Sequence, residues 1–247
     1  MRRAHDCLSW GKRKRQQAEN IKLIQNKQYG RADDEYDFEN GPCRKSRKKV
    51  ATQQERCLFC FENPNQPKHL VVSIANFTHL MLPEWQPVVP GHCFILPMQH
   101  ESATRSVDNY VWEEIRNFKK CLIMMFAKQG KDLVFLETAI EEAEHEWSQH
   151  NAKKLIDTSV KGLRGSVPKD FPCFHVEFGL NSGFVHVIDD EMQFKSTFGL
   201  DVIRGMLRLP EEEVYRRRRH ELVDAKKQAV ANFARDWEPF NWTKQLD

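Results

Sequence analysis

A chain of 247 residues with 40% hydrophobic and 11% aromatic content can build one or two domains with hydrophobic cores. It has no run of 18 apolar residues, and its start, MRRAHDCLSWGKRKRQQ, lacks the apolar stretch of a secretory signal, so neither a bilayer span nor a leader is expected. The formal net charge of +3 conceals an asymmetry: residues 1–55 hold 14 Lys/Arg against 8 Asp/Glu, and residues 56–247 hold 24 against 27. The basic character belongs to an N-terminal arm, and the mildly acidic body is a poor stand-alone binder of phosphate. Seven cysteines, with only Cys57 and Cys60 close together, argue for a reducing compartment (nucleus or cytoplasm) and for metal binding over a disulfide framework.

Residues 1–55 are predicted to be disordered alone, because their apolar content is too small to offset the entropy of ordering. AENIKLIQNKQYG is suited to a short helix on a partner. KRKR at 12–15 and RKSRKK at 44–49, separated by DDEYDFE at 33–39, read as import signals, as phosphate contacts or as a solvated linker. RNA contact would then run through Lys12, Arg13, Lys14, Arg15, Arg44, Lys45, Arg47, Lys48 and Lys49.

From Arg56 the pattern becomes that of a folded body. HLVVSIANFTHLML (69–82) predicts two short strands or one bent strand, and GHCFILPMQH (91–100) predicts a buried strand ending at Pro97. Asp108 is placed to cap a helix carrying Val111, Trp112, Ile115, Phe118, Leu122, Ile123 and Phe126 at helical spacing, with Gly130 as its stop. DLVFLET (132–138) is a further strand of the same α+β unit. A charged helix is expected over 140–159, then a hairpin over 171–189 turning at GLNSG, with Phe171, Cys173 and Val176 or Phe178 alternating inward. A short helix closes at Pro210. A long one over 211–237 carries Val214, Leu222, Ala225, Ala229 and Phe233 on one stripe, and the aromatics of EPFNWT dock on the body.

The sharpest local signal is Cys57-Leu-Phe-Cys60, since two cysteines in a knuckle can offer zinc two thiolates. Buried structural cysteines and a redox pair are the alternatives. The remaining ligands must come from afar, with His100 the foremost candidate and His92, His69 and His79 behind it. Cys173, His175 and His186 are read as packing residues of the hairpin. Arg216 to Arg219 wrap a full helical turn, as a solvated face or a phosphate-contacting patch. The chain has no P-loop, GxSxG or HExxH motif.

Taken together, CLFC, PKHLVVSI, GHCFILPMQH, VFLET, KKLIDTSVKGLRGSVP, FHVEFGLNSGFVHVI, FGLDVIRGML and FARDWEPFNWTK resemble the CwfJ family of Cwf nineteen-like splicing factors, from Arg56 to the C-terminus. The resemblance implies an α+β fold in two tandem domains. Residues 56–158 would form a degenerate domain like that of histidine-triad proteins and galactose-1-phosphate uridylyltransferase, with a zinc knuckle, and 159–247 the smaller CwfJ domain. It also matches Cys57, Cys60 and His100 to three ligands of a structural zinc.

One departure bears on activity. The chain passes from Thr138 straight into AIEEAEHEW, so that roughly thirty residues of the family pattern are missing, and with them a sheet strand and the fourth zinc ligand. No two histidines lie two residues apart, and His145 and His150 point to different faces of a helix, so no positioned nucleophile with a partner is expected. The expectation is therefore a nuclear, non-catalytic subunit of the post-catalytic intron-lariat spliceosome, with spliceosomal proteins and the lariat-debranching machinery as partners and no membrane contact. A histidine-triad-type nucleotide hydrolase or transferase and a free-standing RNA-binding module are the alternatives.

Overall fold

A computed structural model describes residues 52–57, 59–139, 155–169, 171–180, 182–188, 190, 193–195, 197–209 and 222–246. Nearly all of the basic arm with its two Lys/Arg clusters, the charged stretch at 140–154 with His145 and His150, and Arg216 to Arg219 lie outside the described residues. The last residues assigned to the arm are ordered. The short helix α1 (Gln53–Arg56) opens with a reciprocal cap: Thr52 N–H donates to Glu55 Oε2 at 2.6 Å, and Glu55 N–H to Thr52 Oγ1 at 3.2 Å.

The fold is α+β, with two antiparallel sheets. The first consists of β1 (Val71–Ile74), β2 (Thr78–Met81) and β3 (Phe94–Pro97), in that order. The stretch at 69–82 is thus two strands, joined by a turn that Glu114 organises from below. Its carboxylate accepts from the N–H groups of Asn76 (3.2 Å) and Phe77 (2.9 Å) and from the Thr78 hydroxyl (2.8 Å). Glu114 belongs to α2 (Asn109–Lys128), which Asp108 precedes in extended conformation and after which Gly130 turns with φ of 68°. Its buried face, Ile115, Phe118, Leu122, Met125 and Phe126, packs beneath Leu80 and Ile95 to form the main core.

The strand after α2, β4 (Val134–Ala139), is formed as expected, in a sheet other than the first. It pairs with β6 (Cys173–Phe178) in a second sheet of order β4-β6-β7-β5, with β7 spanning Ser182–Val187 and β5 Leu155–Asp157. A correction concerns β5, which the sequence reading made the end of a helix. Leu155 to Asp157 pair with Phe184 to His186, and the Asp157 carboxylate then takes the N–H of Ser159 at 2.8 Å to turn the chain out of the strand. A short helix, α3 (Gly162–Ser166), follows. In the hairpin the inward residues are Cys173, Phe174 and His175, whereas Phe178 is exposed. One end of β6 is covered on both faces, so simple alternation fails there.

Helix α4 (Phe198–Met206) lies over the second sheet through Phe174, and α5 (Val223–Trp237) returns to the first sheet and to α2. The buried stripe of α5 is Lys226, Val230, Phe233 and Trp237, not the stripe through Leu222, Ala225 and Ala229 that apolarity alone suggested. Leu222 is 82% exposed and caps the helix. Trp237 stacks on Phe118 with ring centroids 5.9 Å apart, and Trp242 meets the same ring edge-on at 5.2 Å. Ser73 in β1 donates to Asn241 Oδ1 at 3.2 Å, so the C-terminal aromatics are docked on the body, as expected.

Candidate metal centre

Tight turns build the knuckle. Cys57 N–H bonds back to Gln54 O (3.2 Å), Cys60 N–H to Cys57 O (3.1 Å) and Asn63 N–H to Cys60 O (3.1 Å). Two buried amides hold these turns from the side: Asn63 Nδ2 donates to Cys57 O at 2.9 Å, and Gln66 Nε2 to Phe59 O at 3.3 Å. Between the cysteines, Phe59 anchors the loop, its ring edge-on to Trp85 (6.4 Å) and Phe94 (6.0 Å). Phe94 opens β3, and three residues beyond its last residue, Pro97, stands His100. The strand that supports the knuckle also delivers the histidine to it.

The donor atoms of Cys57, Cys60 and His100 all lie within 4.8 Å of one another, and Cys60 Sγ stands 3.2 Å from His100 Nδ1. The two cysteines are 8% and 1% exposed. A tetrahedral zinc with Zn–S of about 2.3 Å and Zn–N of about 2.0 Å places its ligand atoms roughly 3.5–3.8 Å apart. Two thiolates and one imidazole on this spacing therefore fit zinc, and three protein ligands leave one position for another donor.

The reserve candidates do not join the cluster. His69 is exposed on the single 3-10 turn before β1, and His79 is buried with Gln66 Nε2 3.3 Å from its Nε2 and its ring edge-on to Phe61. His92 lines a cavity discussed below. Cys173 and His175 share one face of β6, and His186 pairs with Phe174 on the other, so the hairpin gathers no metal site. Cys57, Cys60 and His100 form the one such cluster among the described residues.

Polar groups that carry no sequence motif organise the second sheet. Glu137 on β4 accepts from Thr104 N–H (2.8 Å) and from its hydroxyl (2.5 Å), and directly across the pairing stands His175, whose Nε2 lies 3.2 Å from Thr158 Oγ1. Burial, with the nearby charges of Lys119 and Arg105, pushes the His175 imidazole down to about 3, so it is neutral. Arg105 donates to the carbonyls of Pro168 and Phe171, and Lys119 pairs with Glu177. Such residues could be found in sequence only by knowing which distant partners they meet.

With the fold and the cluster in hand, comparison with known proteins places the chain. Residues 44–160 match the family described as "Protein similar to CwfJ C-terminal", and residues 146–243 match "Protein similar to CwfJ C-terminus 2". The chain belongs to the CwfJ/Cwf19 family. It is 38% identical over 226 residues to CWF19-like protein 2 of Homo sapiens, an alignment covering 79% of this chain and 25% of that protein. A CWF19-like protein 2 homolog of Caenorhabditis elegans is 33% identical, with 82% of this chain and 50% of the relative covered. Pre-mRNA-splicing factor cwf19 of Schizosaccharomyces pombe is 30% identical, with 81% and 37% covered. The chain thus spans a quarter to a half of the length of these relatives.

Proposed function

We propose that the chain is a non-catalytic subunit of the pre-mRNA splicing machinery, acting in the nucleus on the post-catalytic, intron-lariat complex and helping to bring the debranching machinery to it. The observation that carries this reading is the alignment of about four-fifths of the chain with a relative named pre-mRNA-splicing factor cwf19. The absence of any histidine pair two residues apart supports a binding role over nucleotidyl transfer. In this reading the first half is a degenerate histidine-triad-like domain. Cys57, Cys60 and His100 hold a structural zinc that ties the N-terminal knuckle to the end of β3, where the metal would supply cross-linking and no reaction step. The Lys/Arg clusters at 12–15 and 44–49 provide long flexible cations for RNA phosphates or acidic partner surfaces.

The test is affinity purification of the full chain from nuclear extract, followed by identification of co-purifying proteins and RNA. Spliceosomal proteins and excised lariat introns should be enriched over a control bait. Recovery of neither, from a bait shown to be folded, refutes the reading.

A further inference from the structure

The two sheets are parts of one layer. Helix α2 covers the same face of both, since Ile95 of β3 and Phe135 of β4 enter its core with Leu122 and Phe126. Leu200 of α4 covers the opposite face of both, packed with Phe94 and Leu96 of β3 and met by Leu136 of β4. Yet β3 and β4 are not paired, and each is the last strand of its own sheet. Between them lies an apolar cavity of about 550 Å³, lined by Ile95, Val134 and Leu136 from the strands, Leu122 from α2, and Leu200 and Ile203 from α4. The charged residues of its lining, Lys131 and Asp132, stand together at one end, just before β4. It shares no residue with the Cys57, Cys60 and His100 cluster.

The backbone groups that face this cavity are those of strand edges. Met98 N–H bonds to Phe77 O, which sets the alternation along β3: Phe94 and Leu96 bond to β2, and Ile95 turns its N–H and C=O to the free edge. Gly179 N–H bonds to Leu133 O, so Phe135, Glu137 and Ala139 bond to β6 while Val134, Leu136 and Thr138 present theirs to the free edge. None of these outward groups is hydrogen-bonded among the described residues. Ile95 and Thr138 are each 2% exposed, and Thr138 Oγ1 is buried with no partner among the described residues. A buried backbone donor or acceptor without a partner costs about as much as a lost hydrogen bond, so two buried edges that face one gap favour a group that pairs with both.

We infer that one extended apolar segment of a partner protein inserts between β3 and β4 and hydrogen-bonds to both edges as an added strand. The flanking helices decide its chemistry. Covered by α2 on one side and α4 on the other, it is buried on both faces, so its sequence is a continuous run of Val, Ile, Leu or Phe and not an apolar–polar alternation. Backbone pairing supplies the affinity, and the cavity walls select the side chains. A second copy of the chain offers only an edge strand with its own sheet behind it. The slot, with a strand on each side and a helix on each face, admits a single strand alone. A small apolar molecule fills the volume but leaves the backbone groups unpaired. The inference does not rest on the splicing role proposed above, because the purified chain and synthetic peptides test it.

The probe is a fluorescein-labelled peptide library in which about five consecutive central positions are drawn from Val, Ile, Leu and Phe between lysine flanks, a length typical of a strand. It is titrated against the full chain by fluorescence anisotropy. The tightest binder is then remade with N-methyl groups on alternate central residues, which keeps its apolar surface and removes the backbone donors to one edge. N-methylation should weaken binding at least tenfold. In amide hydrogen exchange, the N–H groups of Ile95, Val134 and Leu136 should each gain at least tenfold protection when the parent peptide is bound. Ile203→Glu, which sets a charge in the slot from α4, should lower the affinity at least tenfold, and Ile203→Gln serves as a second variant should the first not fold. The inference is overturned if no library peptide binds, if the N-methylated peptide binds as tightly as its parent, if Ile95 and Leu136 gain no protection, or if folded Ile203 variants bind like the wild type.

Discussion

The neutral His175 makes an acid sensitivity calculable. In the folded chain its imidazole titrates at about 3, whereas in the unfolded chain it titrates near 6.5. Between those values the unfolded state binds a proton that the folded state refuses. The stability His175 contributes is therefore complete above pH 6.5 and is lost as pH falls toward 3. At pH 5 the difference is about 1.5 pH units at roughly 1.4 kcal/mol each, a loss of about 2 kcal/mol. His175 is 4% exposed, so solvent screening takes little from this figure. The charged groups near it, Lys119, Arg105 and Glu137, are engaged with Glu177, backbone carbonyls and Thr104 respectively. The test compares wild type with His175→Asn, which keeps a polar group toward Thr158 but does not titrate, in urea unfolding from pH 7.5 to pH 5. The wild type should lose about 2 kcal/mol more than the variant over this range. His92, also held neutral, adds a loss common to both proteins and cancels. Parallel pH profiles for the two proteins would falsify the assignment of a neutral, buried His175.

Two further outcomes follow from the packing and the knuckle. Purified protein should carry close to one equivalent of zinc by elemental analysis, and Cys60→Ser should lose it and melt at lower temperature; folded wild type without zinc refutes the metal reading. Trp237→Ala removes a ring that is 1% exposed and stacked on Phe118, and should cost about 3–5 kcal/mol in urea unfolding; a loss under about 1 kcal/mol would mean that α5 is not fastened there.

What the sequence made legible was local. Helix α2 announces itself because Ile115, Phe118, Leu122 and Phe126 recur on one face between Asp108 and Gly130. The 171–189 hairpin is legible because two apolar runs flank a glycine turn, and Gly179 does adopt a φ of 66°. The knuckle cysteines are legible from their spacing. That His100 completes them depends on β3 carrying it there, which spacing cannot reveal. On α5 Phe233 was read correctly, but Ala225 and Ala229 stand one position before the inward Lys226 and Val230, because a search for apolar residues passes over Lys226. Glu114 and Glu137 escaped for a related reason, as did the Thr158 partner of His175, which was read only as a packing residue. A polar residue in a core is intelligible only through the partners that satisfy it, and those partners stand 17 to 38 residues away in the chain.

The sheet that β4 joins was not legible for a different reason. Alternation and apolar content identify a strand but leave its neighbour open, because either edge of a sheet offers the same backbone donors and acceptors. Six consecutive β4 residues find partners on β6, from Val134 with Phe178 to Ala139 with Cys173. That pairing moves β4 into the second sheet and leaves β3 as an edge of the first. Residues of both β3 and β4, among them Ile95 and Leu136, line one apolar cavity of about 550 Å³ that α4 helps to close with Leu200 and Ile203. The two sheets therefore meet across a gap and share no hydrogen-bonded ladder. What joins the halves is side chains: Phe135 of β4 in the α2 core, Lys119 with Glu177, Arg164 with the carbonyls of Thr104 and Val107, and α5 returning to β1. Contacts of this kind are set by the shape and charge of surfaces remote in sequence, which is why periodicity alone identifies the strand and leaves its sheet open.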